Sequence, residues 1–241
     1  MKGKLLLIMV INIIVALIVN VSYANMNKRR NIDGLVYWHG DPNQPKIALT
    51  FDDGPNEPYT SKILDILKKY NVKATFFVIG KNVEYYPSII KRIVQEGHVI
   101  GNHTYSHPCL LLELKTQIKY QIKETEQNIM QITGVKPYLF RSPYGVDNKG
   151  IYLVAKQMGY VTIEWSVTGR NGGKEIQFEK IVNDVLKDTE NGSIILLHDG
   201  DRLIRHADRS HIVKALPFII ESLQKKGYQF VVVPKLIGLE K

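Results

Sequence analysis

The sequence has one cysteine, two tryptophans and no long block of like charge among its 241 residues. A single cysteine, Cys109, excludes an intrachain disulfide framework, so packing or a metal must stabilise the fold. No Pro-, Gly- or Ser-rich linker, repeat or low-complexity tract divides the chain, which favours one domain. The formal net charge is +9, but no basic run interleaved with aromatics is present, so no nucleic-acid binding is expected. The charge instead fits a solvated surface, or association with anionic cell-wall polymers or a membrane surface.

Long apolar runs are absent except at the N-terminus. Leu5–Val19 is nearly unbroken, follows Lys2 and Lys4, and precedes Ser22 and Ala24, the small residues that a signal peptidase reads. The run is shorter than the ~20 residues of a membrane-spanning helix. We therefore predict a signal peptide over residues 1–24, with an uncleaved membrane anchor as the alternative. The protein would be secreted or cell-wall associated in the first case, and membrane-anchored in the second.

The remaining sequence alternates short apolar runs with amphipathic stretches. Residues 25–45 are polar and are predicted to be a linker, and residues 46–241 form the predicted domain. Predicted strands cover 47–51, 74–79, 98–101, 138–141, 160–167, 193–197 and 229–233. Predicted helices cover 60–70, 87–96, 110–133, 148–158, 176–189 and 209–226. This alternation indicates an α/β fold of parallel strands, as a barrel or as an open doubly wound sheet.

Two adjacent carboxylates, Asp52 and Asp53, follow the first predicted strand. Like charges so close together are costly unless a cation is present. Neighbouring side chains of an extended segment point to opposite sides, so one Asp can bind a metal while the other faces a substrate. The alternative is a turn, because Asp-Gly-Pro is common in turns.

His103 and His107 are four residues apart and follow another strand. On a helical turn this spacing places both imidazoles on one side, where they can chelate a metal. Two surface histidines near a turn at Pro108 are the alternative. If both histidines and one aspartate bind a metal, these three ligands leave a coordination position open for water, as hydrolytic sites require.

Arg141 and His198 also lie at predicted strand ends. A guanidinium at position 141 can orient a carboxylate through a two-pronged hydrogen bond, although a surface arginine in a turn fits the residue alone better. His198 ends a strongly apolar strand, where burial and nearby carboxylates act on its pKa in opposite directions. The alternative is a buried histidine whose hydrogen bonds are all made within the core.

Four motifs in this order resemble the polysaccharide deacetylases of carbohydrate esterase family 4, also called the NodB-homology domain. They are Thr-Phe-Asp-Asp-Gly-Pro from Thr50, His-Thr-x-x-His from His103, Arg-x-Pro-Tyr-Gly from Arg141, and the apolar strand ending at His198. The similarity extends from about Lys46 to Val233. It implies a distorted (β/α)7 barrel and an enzyme that removes acetyl groups from amino-sugar polymers.

The resemblance also implies roles for individual residues. Asp53, His103 and His107 would hold a divalent metal, with zinc expected and cobalt, iron or nickel as alternatives. Asp52 would be the general base, positioned by Arg141, and His198 the general acid. The remaining implied residues bind the oxyanion or the substrate: Tyr144 through its backbone N–H, Leu196 in the acetyl pocket, and Trp165 along the groove or in the core.

One segment departs from the family pattern. Thr168 and Asn171 stand where carboxylates are common, and Gly172 stands where tryptophan is common. This departure bears on the orientation of Arg141 and on the choice of substrate more than on the metal site.

The predicted function is therefore metal-dependent N-deacetylation of peptidoglycan or a chitin-like polymer, with release of acetate. A monomer is expected. The alternatives are a catalytically weak carbohydrate-binding relative, and an O-deacetylase that acts on acetylated polysaccharide.

Overall fold

The computed structural model describes residues 31–239, except residue 33 and residues 170–176. The predicted signal peptide, as well as Asn171 and Gly172, lies outside the described residues. Within the described part, no helix combines the length and apolar character needed to cross a membrane.

Nine short strands and eight helices make up the described part of the chain. The strands are β1 Val36–Tyr37, β2 Lys46–Asp52, β3 Thr75–Val78, β4 Val99–Asn102, β5 Leu139–Phe140, β6 Val161–Ile163, β7 Val167–Thr168, β8 Ile194–His198 and β9 Gln229–Phe230. The helices are α1 Tyr59–Lys69, α2 Gly80–Tyr85, α3 Pro87–Gln95, α4 Lys115–Thr133, α5 Lys149–Gln157, α6 Phe178–Asp188, α7 Ser210–Lys225 and α8 Val233–Leu236. The regular alternation of strands and helices confirms the predicted α/β class.

The strands form one parallel sheet that curls round on itself. Their order is β1-β6-β5-β4-β3-β2-β8-β7, and β9 pairs with β2. Strand β6 lies near one end of this order and β7 at the other, yet only residues 164–166 separate them in the chain. The two ends must therefore meet, which gives an incomplete barrel. The predicted distorted (β/α)7 barrel is confirmed, and the open sheet is excluded.

Alternation along β2 decides which side chains face the inside of the barrel. Ile47, Leu49 and Phe51 pack in the core between the sheet and the helices. Ala48 packs instead in the interior cluster, with Leu196 of β8. Because the side chains of a strand alternate, Thr50 and Asp52 lie on the same inner side as Ala48.

Several predicted boundaries differ from the structure. The helix predicted from Leu110 begins at Lys115, because residues 110–112 form a separate 3-10 turn and Leu114 is extended. The strand predicted over 160–167 is split, since Glu164 N–H bonds towards β1 whereas Ser166 N–H bonds to β8. The last strand ends at Phe230, and Val233 instead starts α8.

The folded part also begins earlier than the predicted boundary at Lys46. Val36 and Tyr37 pair with β6, and Trp38 is buried. These residues belong to the sheet and its core, although they fall in the predicted linker.

Candidate active site

The polar residues that follow the strands meet at one edge of the barrel. Asp52 ends β2 and pairs in register with His198 at the end of β8. His103 follows β4, and Arg141 follows β5. The carboxyl ends of parallel strands lie at the same edge, so residues far apart in sequence share one site.

Asp53, His103 and His107 converge on a common point. One ligand atom from each lies within 4.8 Å of the other two, and all three residues are buried. His103 Nε2 is 3.5 Å from Asp53 Oδ1, and His107 Nε2 is 3.3 Å from the same oxygen. The sequence prediction placed these three side chains together, and the structure brings them together.

The two histidines do not converge through a helical turn, so that part of the prediction is wrong. Residues 103–107 form an irregular loop in which Thr104 and His107 have φ values of 67° and 55°. A β-branched residue rarely adopts positive φ. The loop is held by hydrogen bonds: Thr104 N–H donates to Asn102 Oδ1, and His107 N–H donates to Thr104 Oγ1. These contacts fix a strained backbone, a feature that is common at functional sites.

The hydrogen bonds around the cluster suit a divalent cation. His103 Nδ1 lies 2.8 Å from the carbonyl oxygen of Arg141. That contact requires the proton on Nδ1, so Nε2 is the ring atom that faces Asp53 and would bind a metal. Asp53 Oδ1 is buried and accepts no hydrogen bond from the residues that the structure describes. One carboxylate and two imidazoles form a donor set that zinc favours, and they leave a position for water.

Electrostatics favour the metal-binding forms of Asp53 and His107, whereas at His103 burial is outweighed by Asp52 and Asp53, which raise its pKa, so a metal would displace a proton from that ring. Burial acts to raise the pKa of Asp53, but His107, His103 and His198 outweigh it and hold that pKa below its ordinary value. Burial lowers the pKa of His107 to about 3, and positive charge on His103 and Arg202 adds to the effect. An ionised Asp53 and a neutral His107 are the forms that bind metals.

Arg141 is completely buried beneath the site, so the surface-turn reading is wrong. Its Nη1 donates to Asp52 Oδ1 at 2.7 Å and to Thr50 Oγ1 at 2.8 Å. Its Nε and Nη2 donate to the carbonyl oxygens of Ile163 and Glu164, at 3.0 and 2.9 Å. The contact with Asp52 is therefore single rather than two-pronged. Two backbone carbonyls and a hydroxyl orient the guanidinium.

The second oxygen of Asp52 faces the proposed metal ligands. Asp52 Oδ2 lies 3.7 Å from His103 Nε2. Since Arg141 binds Oδ1, the carboxylate has one oxygen tied to the protein and the other turned to the site.

His198 lies across from Asp52, partly exposed at the end of β8. Burial lowers its pKa, and the negative charges of Asp53 and Asp52 oppose that effect without cancelling it. Its partial exposure and its nearness to both aspartates fit a site histidine better than a histidine enclosed in the core.

The three residues predicted to bind the oxyanion or substrate lie in different environments. Tyr144 occupies a turn with φ of 64°, and its ring centroid is 4.6 Å from that of His107. Leu196 lies in the barrel interior with 2% exposure. Trp165 is 5% exposed and packs in the same interior cluster. Trp165 therefore occupies the core rather than the wall of a groove.

Asp199 is a buried site neighbour that the sequence analysis missed. Thr60 Oγ1 donates to Asp199 Oδ2 at 2.6 Å. Burial is the largest cause of a pKa raised to about 7, and Asp53 and Asp52 add to it. Its only sequence signal is that it directly follows His198 at the end of an apolar strand.

Comparison with known proteins agrees with this arrangement. The family model named polysaccharide deacetylase matches residues 39–163, more than half of the chain. The protein belongs to the polysaccharide deacetylase family. It is therefore a hydrolase of that family, and the predicted family assignment is confirmed.

Three similar proteins illustrate the relationship within the polysaccharide deacetylases. A peptidoglycan-N-acetylglucosamine deacetylase of Bacillus cereus is 41% identical over 85% of this chain and 72% of the relative. The peptidoglycan-N-acetylmuramic acid deacetylase PdaC of Bacillus subtilis is 42% identical over 83% of this chain and 40% of that relative. The crystal structure of the Bc1960 peptidoglycan N-acetylglucosamine deacetylase matches with a TM-score of 0.79 and 40% identity, covering 86% of this chain and 94% of that one.

Proposed function

We propose that this polysaccharide deacetylase hydrolyses the N-acetyl groups of N-acetylglucosamine in peptidoglycan, using a divalent metal held by Asp53, His103 and His107. The convergence of these three side chains beside Asp52 carries the proposal. The names of the similar B. cereus protein and of Bc1960 support this choice of substrate. N-acetylmuramic acid is the other sugar that a relative's name suggests.

We propose zinc as the metal, because two imidazoles and one carboxylate with an open position for water are a common zinc donor set. Cobalt, iron and nickel bind the same types of ligand and are the alternatives. When bound, a divalent ion would polarise the acetamido carbonyl and promote the ionisation of a water molecule. Asp53 would supply the negative ligand, and His103 a neutral ligand whose tautomer the Arg141 carbonyl fixes.

Asp52 would act as the general base. Arg141 binds its Oδ1, which keeps the carboxylate in place and leaves Oδ2 to accept the proton of the attacking water. Water adds to the carbonyl carbon and forms a tetrahedral oxyanion, to which the backbone N–H of Tyr144 would donate.

His198 would act as the general acid. It pairs in register with Asp52 on the neighbouring strand, so the proposed proton donor and proton acceptor lie side by side at the same strand ends. Proton transfer from His198 to the amide nitrogen lets the carbon–nitrogen bond break, which releases acetate and a free amino sugar. Leu196 would contact the acetyl methyl group from the barrel interior.

We propose that the enzyme acts outside the cell, at the wall. Its substrate is a wall polymer, and the N-terminal residues read as an export signal. Without Lys2 and Lys4 of that signal the net charge is still about +7, which favours anionic wall components.

Release of acetate from N-acetylglucosamine oligomers by the purified, zinc-supplemented protein tests the proposal directly. Asp52→Asn should lower kcat at least about 100-fold while zinc content stays the same, because it removes only the base. His103→Ala combined with His107→Ala should lose zinc as well as activity. Parent-level activity of Asp52→Asn would remove that residue from the mechanism, and full zinc content in the double variant would show the ligand assignment to be wrong.

A further inference from the structure

The loop between β8 and α7, residues 199–209, directly follows His198 and contacts two other segments of the chain. On one side Arg202 reaches Tyr144, which follows β5. On the other side the guanidinium of Arg205 lies 4.0 Å above the ring of Tyr85, at the end of α2. The loop therefore lies between Tyr144, beside the proposed metal ligands, and the end of α2.

This loop is built to hold its shape. Arg209 Nε donates to the Gly200 carbonyl at 2.8 Å, and its Nη2 pairs with Asp201 at 3.0 Å. Asp201 Oδ1 accepts hydrogen bonds from the N–H groups of Leu203 and Ile204. The position of Arg202 is therefore fixed by the chain on both sides of it.

Arg202 is the basic group on this loop that lies beside the catalytic centre. Its Nη1 donates to Tyr144 Oη, and its guanidinium carbon is 4.8 Å from the centre of the Tyr144 ring. The Tyr144 ring in turn packs against His107. The side chain is partly exposed, so a ligand in solution can reach it.

The charge of Arg202 is not neutralised by the rest of the described chain. Arg209, Arg141 and Arg92 each pair with a carboxylate. Among residues 31–239 that the structure describes, no acidic side chain forms an ion pair with Arg202. A guanidinium has five N–H donors in a planar fork that matches a carboxylate. One nitrogen of the Arg202 guanidinium donates to Tyr144 Oη.

We infer that Arg202 binds a carboxylate carried by the glycan chain next to the acetamido group that is hydrolysed. This inference rests on the proposed function and narrows its substrate to a chain with acidic sugars or peptide stems. Peptidoglycan supplies such groups, on the lactyl ether of muramic acid or on the stem peptide, whereas chitin-like chains are neutral.

Arg202→Gln tests the inference on three substrates of equal glycan length. One is a neutral N-acetylglucosamine oligomer, one alternates N-acetylglucosamine with peptide-free muramic acid, and one carries the stem peptide. The variant should lower kcat/KM about tenfold on a carboxylate-bearing chain, mostly through KM, because a partly exposed charged hydrogen bond is lost. The neutral oligomer should change by less than about twofold. A loss confined to the peptide-bearing chain assigns the carboxylate to the peptide. A loss confined to the peptide-free chain assigns it to the lactyl group, because attachment of the peptide converts that carboxylate into an uncharged amide. A loss on both acidic chains means that Arg202 binds a carboxylate of either kind.

Two further variants separate recognition from structure. Arg202→Lys keeps the charge and should retain part of the preference for the acidic chain. Arg205→Gln removes the same charge from the same loop, but from a side chain that contacts Tyr85, and should behave as the parent.

An equal loss on neutral and acidic chains would mean that Arg202 only holds Tyr144, and the inference would be overturned. No change on any chain would overturn it as well. If the parent released no acetate from any substrate, the proposed function would fail. Equilibrium binding of the muramic-acid chain to the parent and to Arg202→Gln would then decide the role of Arg202, with equal affinities against it.

Discussion

Replacing Arg141 by lysine should separate the structural and catalytic contributions of this buried side chain. Arg141 makes four hydrogen bonds, to Asp52, Thr50 and the carbonyl oxygens of Ile163 and Glu164. A lysine has one nitrogen, which cannot reach acceptors spread around a planar guanidinium. At least two buried acceptors would therefore lose their donor.

The magnitude follows from those lost bonds. Each buried acceptor left without a donor costs about 1–3 kcal/mol, so loss of two should lower the free energy of unfolding by about 2–6 kcal/mol. At about 2–4 °C per kcal/mol for a chain of this size, the melting temperature should fall by about 4–24 °C. Since the charge is kept but Asp52 is no longer fixed, kcat should fall about 100-fold.

Urea denaturation followed by circular dichroism, together with acetate release and zinc content, would measure all three effects. Zinc content should not change, because His103 contacts the backbone carbonyl of residue 141 rather than its side chain. Arg205→Lys, an exposed matched control, should stay within about 0.5 kcal/mol of the parent. An Arg141→Lys variant with parent stability and parent kcat would refute the positioning role.

Three other predictions concern pH, packing and the metal. Burial lowers the pKa of His98 from 6.5 to about 4. Between these pH values the unfolded chain binds one more proton than the folded chain, so the free energy of unfolding should fall by up to about 3 kcal/mol as pH drops from 6.5 to 4. Urea titrations of His98→Asn should lose this pH dependence, and an unchanged dependence would contradict the assignment. A Cβ on Gly145 would lie 2.3 Å from the Trp165 ring, whereas one on Gly134, which also has positive φ, would meet no atom within 4 Å. Gly145→Ala should therefore lower the free energy of unfolding by about 1–3 kcal/mol more than Gly134→Ala does. Equal losses would argue against this close packing. Chelation of the metal should stop acetate release and also lower the melting temperature. A ligand that binds only the folded protein, at 1,000 times its Kd, stabilises the fold by about 4 kcal/mol. An unshifted melting curve after metal removal would contradict an ion bound by Asp53, His103 and His107.

The sequence predicted most of the architecture because its apolar periodicity is regular. Predicted strands and helices match β2, β3, β4, α1 and α3 within about two residues. The errors arose where tertiary contacts override local pattern. The start of α4 was misplaced because Leu110 is buried and sits in a turn of its own, whereas periodicity joined it to the helix.

The site was predicted in its members but not in its geometry. The family resemblance brought Asp53, His103 and His107 together, and the structure places them together. The helical spacing of the histidines was the wrong reason, because positive φ at Thr104 cannot be read from residue type. The partners of Arg141 could not be predicted either, since backbone carbonyls carry no sequence signal.

Arg202 and Asp199 escaped the sequence analysis for a different reason. Their significance lies in contacts with Tyr144 and Thr60, which are distant in the chain. Only the path of the loop after β8 brings these groups to the site.

Anomalous scattering at the zinc absorption edge, from crystals of the zinc-loaded protein, tests the central claim most directly. We predict one strong peak in contact with Asp53, His103 and His107, with an Asp52 oxygen nearby and not bound. A peak at other residues, or these three side chains turned apart with no peak between them, would contradict the account.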